Sequence, residues 1–218
     1  MNKKIIEFLT DLSENNNRDW FKTNKDYYEE ARGEFISMVE NLIPALAVTN
    51  PLIGNLAVKD TIFRIYRDVR FSKDKSPYKT AFGAYIAPGG RKSMLPGHYF
   101  HIEPGNCFVA GGSHNPQSDH LKSIRSEIYY KSSEFNSIIN EDDFVKLFGE
   151  LIGDKLKRPP IGFPTDFDDI ELLKFKEYIV IHKFDDKTVE RLDFLNLAVA
   201  VFEKMNPFIE FLNRALSS

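Results

Sequence analysis

The feature that most constrains the fold is a block of consecutive strand-like segments between two blocks of helical segments. Residues rich in β-branched and aromatic side chains form four such segments, at 61–71, 80–87, 98–103 and 107–110. Short turns join them, and consecutive strands joined in this way pair antiparallel. The absence of crossover helices between the strands argues against a doubly wound nucleotide-binding fold. The sequence predicts an α+β fold, with a central antiparallel or mixed sheet flanked by N- and C-terminal helices.

Helical periodicity surrounds this block on both sides. Apolar residues three and four positions apart predict helices over 3–13 and from Asn24 to about residue 48. After the block, the pattern predicts helices at 119–130, 141–152, 187–204 and 206–216, a stiff proline-rich connection at 157–169 and a further strand at 178–184. The last two helices are divided at Asn206-Pro207, where asparagine would cap a new helix and proline would fill its first position.

Composition matters mainly for domain count and location. A chain of 218 residues that is 42% hydrophobic, with 19 phenylalanines, is long enough for one α+β domain over residues 1–218. No apolar run approaches the roughly 20 residues of a membrane span, and Glu7 interrupts the first apolar stretch before a signal-peptide core could form. The single cysteine, Cys107, excludes an internal disulfide and a multi-cysteine metal site. We therefore expect a cytoplasmic protein with no membrane association and a buried Cys107.

Positive charge is concentrated in one short segment, from Arg64 to Lys79. The whole chain carries a net charge of −3, yet this segment holds six cations against two carboxylates, Asp68 and Asp74. A net-acidic protein that gathers cations in this way has a candidate anion site there. The acidic remainder would repel a nucleic-acid backbone, which makes nucleic acid the less favoured partner and a small anionic ligand the preferred one.

In an extended conformation, side chains of this segment alternate between two faces. Arg67 would then share a face with Phe63, Ile65, Val69 and Phe71, so we expect it to be buried with a carboxylate or carbonyl partner. The predicted ligand-binding residues are Arg64, Tyr66, Arg67, Asp68, Arg70, Lys73, Lys75, Tyr78 and Lys79. Arginine offers a bidentate fork for phosphate or carboxylate, and lysine adds a point charge. The alternative is a solvated strand edge whose arginines pair with Asp68 and Asp74.

Two residues of the 98–103 strand are the candidate catalytic groups. His101 and Glu103 lie two positions apart and would share a face with Tyr99, so they could act as an acid–base pair. A metal site would need His114 or Asp119 as a third ligand, and none is predicted. Glu103 could instead be the partner of Arg67 or Arg70 on a neighbouring strand. The Gly89-Gly90-Arg91-Lys92 stretch is interpreted as a hairpin loop, because no phosphate-loop fingerprint is present.

The basic segment is accompanied by other distinctive stretches, at 8–12, 16–21, 24–28, 96–104, 111–112, 124–125 and 158–163. This set is similar to a widespread microbial family catalogued only as a conserved domain of unknown function, and the resemblance covers nearly the whole chain. It implies that the basic segment is a signature of the family and not an accident of this chain. It implies no activity, cofactor or catalytic residue.

Three functional hypotheses follow from these residues. The first is an anion-binding cleft built by the basic segment, with His101 and Glu103 as acid–base groups if the protein is an enzyme. The second is a non-catalytic module that uses the same basic surface to bind nucleic acid or protein. The third is a structural role, in which each arginine has an internal carboxylate partner. The residues indicate no cofactor, reaction or oligomeric state.

Overall fold

The computed structural model describes residues 3–217. In this range the chain forms ten α-helices, α1 (Lys3–Glu14), α2 (Arg18–Thr23), α3 (Lys25–Ala47), α4 (Val58–Thr61), α5 (Ser118–Tyr130), α6 (Ser132–Ile139), α7 (Asp142–Phe148), α8 (Ile170–Leu173), α9 (Asp186–Val189) and α10 (Phe194–Arg214). Four strands lie among them, β1 (Phe82–Ile86), β2 (Gly97–Ile102), β3 (Cys107–Ser113) and β4 (Tyr178–Phe184). The predicted α+β class is confirmed. None of these helices is long and apolar enough to cross a membrane.

The four strands form one antiparallel sheet in the order β1-β2-β3-β4. The first three strands make a meander whose β2–β3 connection turns at Gly105, a glycine with a positive φ of 72°. The fourth strand arrives from far along the chain and pairs Val109 with His182. Three of the four strands predicted in the central block, and the separate strand at 178–184, are therefore confirmed.

The prediction of a sheet strand at 61–71 is wrong. Thr61 ends the short helix α4, and the chain then meets β1 only through the Ile62–Ala84 bridge and a 2.9 Å hydrogen bond from the Phe63 nitrogen to the Gly83 carbonyl. Beyond this point the backbone satisfies its polar groups by folding back on itself, because the Lys79 nitrogen donates to the Ile65 carbonyl at 2.8 Å. The segment is a hairpin beside the sheet, which we call the basic hairpin (residues 64–79).

One face of the sheet is covered by helices. The buried side chains Phe100 and Val109 point towards this layer, and Phe35 of α3 stacks on Phe100 with ring centroids 5.6 Å apart. Phe194 of α10 contacts the same ring at 6.1 Å. The N- and C-terminal helices thus share one aromatic core, as the amphipathic patterns predicted. On the opposite face of the sheet, residues 3–217 form no helical layer of this kind, and several side chains there are partly exposed.

The predicted break at Asn206-Pro207 is also wrong, because α10 continues through both residues. The Asn206 side chain is not a helix cap: its oxygen accepts from His98 Nε2 at 3.0 Å, and its amide donates to Thr49 Oγ1 at 2.8 Å. Buried residues on both sides of Pro207, including Met205 and Phe208, hold the helix against the core. Packing therefore outweighs the single backbone hydrogen bond that the proline removes.

Smaller boundary differences have local causes. The helix predicted at 141–152 ends at Phe148, because Gly149 follows with a positive φ of 65°. The helix predicted at 187–204 is divided: the short helix α9 ends at Val189, and α10 begins at Phe194. Cys107 is fully buried, as predicted, and burial raises the pKa of its thiol to about 12.

Candidate functional site

Tyr78 anchors the basic hairpin to the helical layer. The Asn16 amide donates to the Tyr78 carbonyl at 3.0 Å, and the Tyr78 nitrogen donates back to the Asn16 side-chain oxygen at 3.1 Å. The Tyr78 ring stacks on Phe21 with centroids 4.0 Å apart. Tyr78 is consequently buried. In the structure Tyr78 supports the hairpin, and the Tyr66 ring packs beside it.

Two of the six cations of the hairpin form ion pairs inside it. Arg67 bonds to Asp74 and to the Ser76 carbonyl, and only 26% of its side chain is exposed. Hydrogen bonds from Ser76, and then from Arg67, hold the pKa of Asp74 well below its ordinary value. Arg70 forms a forked pair with Asp68, with nitrogen–oxygen distances of 2.9 and 2.6 Å. Lys75 donates to the Val69 carbonyl at 3.0 Å.

These ion pairs contradict the expected pairing of Glu103 with an arginine and agree with the expectation that Arg67 has a carboxylate partner. Glu103 does not pair with Arg67 or Arg70, because each arginine finds a carboxylate within its own hairpin. The partner that Arg67 was expected to have is Asp74. The tip of the hairpin is open: Phe71 is 96% exposed. Of the nine predicted ligand-binding residues, Lys79 lines a groove on the open face of the sheet.

A groove of about 650 Å³ lies on the open face of the sheet. Its floor consists of outward-facing strand residues, Tyr85, Tyr99, Phe108, Ala110, Ile179 and Ile181. Lys79 and Phe63 line it at the base of the basic hairpin, and Arg91 lines it from the loop after β1. His114 and Glu177 line it as well and bond to each other at 2.8 Å. Concave, mostly apolar surfaces with a few polar groups are the usual form of small-molecule sites.

A chain of hydrogen bonds leads away from this groove through the two predicted catalytic residues. The Tyr99 hydroxyl lies 3.0 Å from His101 Nδ1, and His101 Nε2 lies 3.3 Å from Glu103 Oε2. Thr80 and Asn106 donate to the same carboxylate. Because an ionised carboxylate only accepts, His101 carries its proton on Nε2, and Nδ1 accepts from the Tyr99 hydroxyl. The histidine ring stacks on Phe108 at 4.4 Å.

The pKa shifts agree with this assignment. Burial lowers the pKa of His101; the Glu103 carboxylate opposes this, and the charge of Lys79 lowers it further, so the ring is neutral at pH 7. Burial favours the protonated form of Glu103, but hydrogen bonds from Asn106, His101 and Thr80 prevail and lower its pKa. Burial, and then Glu103, raise the pKa of Tyr99 to about 12. The resting chain is therefore a neutral tyrosine, a neutral histidine and a carboxylate.

Lys79 belongs to the predicted ligand-binding residues and lies close to the predicted catalytic residue His101. Its ammonium group sits 5.3 Å from the centroid of Phe63, whose ring meets that of Tyr99 edge-on at 6.1 Å. Burial, and then the charge of Arg64, lower the pKa of Lys79. Among residues 3–217, no carboxylate forms an ion pair with Lys79 or Arg64. Lys79 thus lies near the histidine, with the charge of Arg64 close to it and no ion-pair partner of its own among residues 3–217.

Several groove residues were missed by sequence reasoning. Tyr85 and Phe108 alternate with buried neighbours along their strands, so the period of two could have placed them on the open face. Ile179 and Ile181 belong to β4, whose pairing with β3 has no local sequence signal. Arg91 was interpreted as part of a hairpin loop, and the structure adds that it lines the groove and donates to the Lys59 carbonyl.

The third metal ligand that was considered does not join His101 and Glu103. His114 lies beyond the other end of β3 and bonds to Glu177. In the described part of the chain, no three side chains of His, Cys, Asp or Glu are grouped so as to hold a metal ion.

Comparison with known proteins places the chain in a family. A family model described as "Conserved hypothetical protein (DUF2461)" matches residues 4–211. The chain belongs to this family. The match extends over all four strands and most of α10, so the groove and the basic hairpin are both parts of the DUF2461 domain.

One curated relative of this DUF2461 chain is similar over a shorter stretch. The chain is 36% identical over 86 residues to SUMO-activating enzyme subunit 2 of Dictyostelium discoideum, a match that covers 38% of this chain and 12% of that protein. No solved structure matches the chain.

Proposed function

We propose that the protein binds a small anionic ligand in the open-face groove, with Lys79 as the anchoring cation. The observation that carries this proposal is the electrostatic setting of Lys79: a partly buried ammonium with another cation, Arg64, near it and no carboxylate partner among residues 3–217. A bound anion would relieve this repulsion and gain from the low local polarity. The aromatic floor around Tyr99 and Phe108 suits the apolar or flat body of such a ligand.

The nucleic-acid alternative has less support. Arg67 and Arg70 are already paired with Asp74 and Asp68, so they are not free to release counterions by neutralising phosphates. The exposed Phe71 at the tip is a single aromatic side chain, and single exposed apolar residues are normal on protein surfaces.

Substituting Lys79 tests the proposal directly. We expect phosphate or a short dicarboxylate such as succinate, at matched ionic strength, to stabilise the parent protein by about 2.7 kcal/mol at a hundredfold excess over the dissociation constant. Lys79→Met keeps an apolar stem over Phe63 but removes the charge, so it should abolish the gain. Lys73→Met is the matched control, because Lys73 belongs to the same hairpin and does not line the groove. Thermal melts with each anion measure both effects.

Two outcomes would count against the groove. One is a parent protein whose melting temperature responds to these anions no more than to chloride at equal ionic strength. The other is an equal loss of the anion effect in Lys73→Met and Lys79→Met, which would indicate general surface charge.

Acid–base chemistry is the second candidate function, and the hydrogen-bond chain from Tyr99 to Glu103 favours it. A hydroxyl, a base and an orienting carboxylate in this order form the arrangement that activates a hydroxyl in other enzymes. A ligand in the groove would meet the Tyr99 hydroxyl, whose proton His101 is placed to accept. Lys79 nearby would favour the oxyanion that forms.

The protonation state of His101 is a direct check on this second candidate. We expect ¹⁵N chemical shifts at pH 7 to show a neutral ring protonated on Nε2, because Glu103 accepts at that nitrogen. Glu103→Gln keeps an oxygen that can accept from Nε2 but removes the negative charge, so it should lower the pKa of His101 further. A ring that is protonated at pH 7, or that carries its single proton on Nδ1, would contradict the proposed direction of proton transfer.

A further inference from the structure

A second cavity, of about 710 Å³, lies on another part of the surface. It is formed by α5 and by the proline-rich segment (157–169) that follows α7. Its lining residues are Lys122, Arg125, Leu156, Lys157, Arg158, Pro159, Pro160, Ile161 and Phe163. Four of these nine side chains are cations, and none is a carboxylate. Two of the stretches that distinguish the sequence, 124–125 and 158–163, meet here although they are far apart in the chain.

The four cations have no carboxylate partners. Among residues 3–217, no ion pair involves Lys122, Arg125, Lys157 or Arg158. Three carboxylates lie inside the proline-rich segment, Asp166, Asp168 and Asp169, and none of them lines the cavity or forms an ion pair with its cations. Two others flank the segment and are engaged elsewhere: Asp154 pairs with Lys176 at 3.4 Å, and Glu171 pairs with Lys174. Positive charge at this cavity is therefore left unneutralised in a protein whose net charge is −3.

One of the cations, Arg125, and the backbone beside two others are held in place. Arg125 Nη2 donates to the Phe175 carbonyl at 2.8 Å, which fixes its guanidinium from behind. The Leu156 nitrogen donates to the Lys174 carbonyl at 2.8 Å, and the two prolines that follow Arg158 stiffen the chain. The Phe163 ring packs edge-on against Tyr129 at 5.8 Å. A site with pre-positioned charges loses less entropy when a ligand binds.

We propose that this cavity binds a small molecule that carries two or more phosphate groups, at a site separate from the open-face groove. A single carboxylate would leave most of the four positive charges uncompensated, whereas a diphosphate brings about three negative charges. The two guanidinium groups, Arg125 and Arg158, match phosphate oxygens in a bidentate manner, and the lysines add point charges. Phe163 and Ile161, the latter 99% exposed, offer an apolar wall for the remainder of the ligand.

Calorimetric titration with pyrophosphate and with ADP tests the site. The double variant Lys157→Gln/Arg158→Gln should weaken pyrophosphate binding by about a hundredfold, since each charge-assisted hydrogen bond is worth roughly tenfold or more. Both residues are exposed, so the variant should keep the parent melting temperature. Lys131→Gln is the matched control: it removes an exposed lysine at the end of α5, the helix that carries Lys122, away from the cavity. It should leave the affinity within about twofold.

Comparison of pyrophosphate with ADP shows which part of the ligand is recognised, and Lys79→Met distinguishes binding at this cavity from binding at the groove. Equal affinities for ADP and pyrophosphate would mean that only phosphate is recognised, whereas tighter ADP binding would add the apolar wall to the site; either result supports the proposal. Because the groove also offers Lys79 to pyrophosphate, the decisive quantity is the binding component that Lys157→Gln/Arg158→Gln removes: it should persist in Lys79→Met. Loss of binding in Lys79→Met but not in the double variant would overturn the second site, as would an equal loss in Lys131→Gln or no heat of binding to the parent.

Discussion

Gly112→Ala is expected to destabilise the protein by about 3 to 5 kcal/mol, from backbone strain together with overpacking. Gly112 has a positive φ of 126°, a backbone conformation that side chains strongly disfavour. A Cβ atom there would lie 2.0 Å from the Tyr178 carbonyl oxygen, which belongs to the neighbouring strand β4. The backbone of β4 cannot move away without breaking its ladder with β3, so the sheet itself must distort.

Gly105→Ala is the matched comparison for this substitution. Gly105 also has a positive φ, of 72°, but no heavy atom lies within 4 Å of the position that its Cβ would take. It therefore carries the conformational cost without the collision, and we expect a loss of only about 1 kcal/mol. Urea unfolding of the parent and both variants measures the two values. Equal losses for Gly105→Ala and Gly112→Ala would show that the close approach of β4 contributes nothing.

Acidification is expected to reduce the free energy of unfolding through His98. This histidine is buried under α10, where burial lowers its pKa to about 4, and its hydrogen bonds with Asn206 and the Phe202 backbone oppose only part of the shift. Its unfolded pKa is near 6.5. Above that value the ring is neutral in both states, so stability is complete. As the pH falls from about 6.5 to about 4, the unfolded state takes up a proton that the folded state refuses, and about 3 kcal/mol is lost.

His98→Gln isolates this contribution, because glutamine can still donate to Asn206 but does not titrate. Its unfolding free energy should be lower than that of the parent at pH 7.5 but should change less between pH 6.5 and 5. His114→Gln is the control, since His114 is exposed and lies at the rim of the groove. Parallel pH dependence in the parent and His98→Gln, measured by urea unfolding at each pH, would exclude His98 as the acid-sensitive group.

The fold could be predicted from the sequence where local pattern and tertiary partner agree. The β2–β3 hairpin is such a case, because strand-like residues flank a Pro104-Gly105 turn. The prediction of a sheet strand at 61–71 was wrong because these residues favour an extended backbone but do not specify the segment with which it pairs. Its actual partner is its own continuation up to Lys79. Residue composition does not distinguish a sheet strand from one arm of an irregular hairpin.

The prediction of a break within α10 was wrong for a different reason. Asn206-Pro207 is a good start for a helix when the flanking chain is solvated, but here the asparagine side chain is used by His98 and Thr49. Those partners come from distant parts of the sequence, so no window around residue 206 contains them. Tertiary packing overrides a local signal that is worth only about 1 kcal/mol.

The candidate site shows the same limit. His101 and Glu103 were found because residues two apart share a strand face, and the structure does join them through a hydrogen bond. The basic hairpin was recognised as unusual, but charge counting could not reveal that Asp68 and Asp74 neutralise Arg70 and Arg67. Lys79 stood among nine equivalent candidates, and only its neighbours in three dimensions distinguish it.

The burial of Cys107 has a practical consequence for spectroscopy. Maleimide and methanethiosulfonate labels react with the thiolate, and a thiol with a pKa of about 12 offers almost none at neutral pH. The parent chain is therefore close to a cysteine-free background without any substitution. A single Phe71→Cys change at the hairpin tip, or Ile161→Cys at the rim of the second cavity, would place one spin label or fluorophore on an exposed position. Introduced together, the pair would report the distance between the two surfaces in solution.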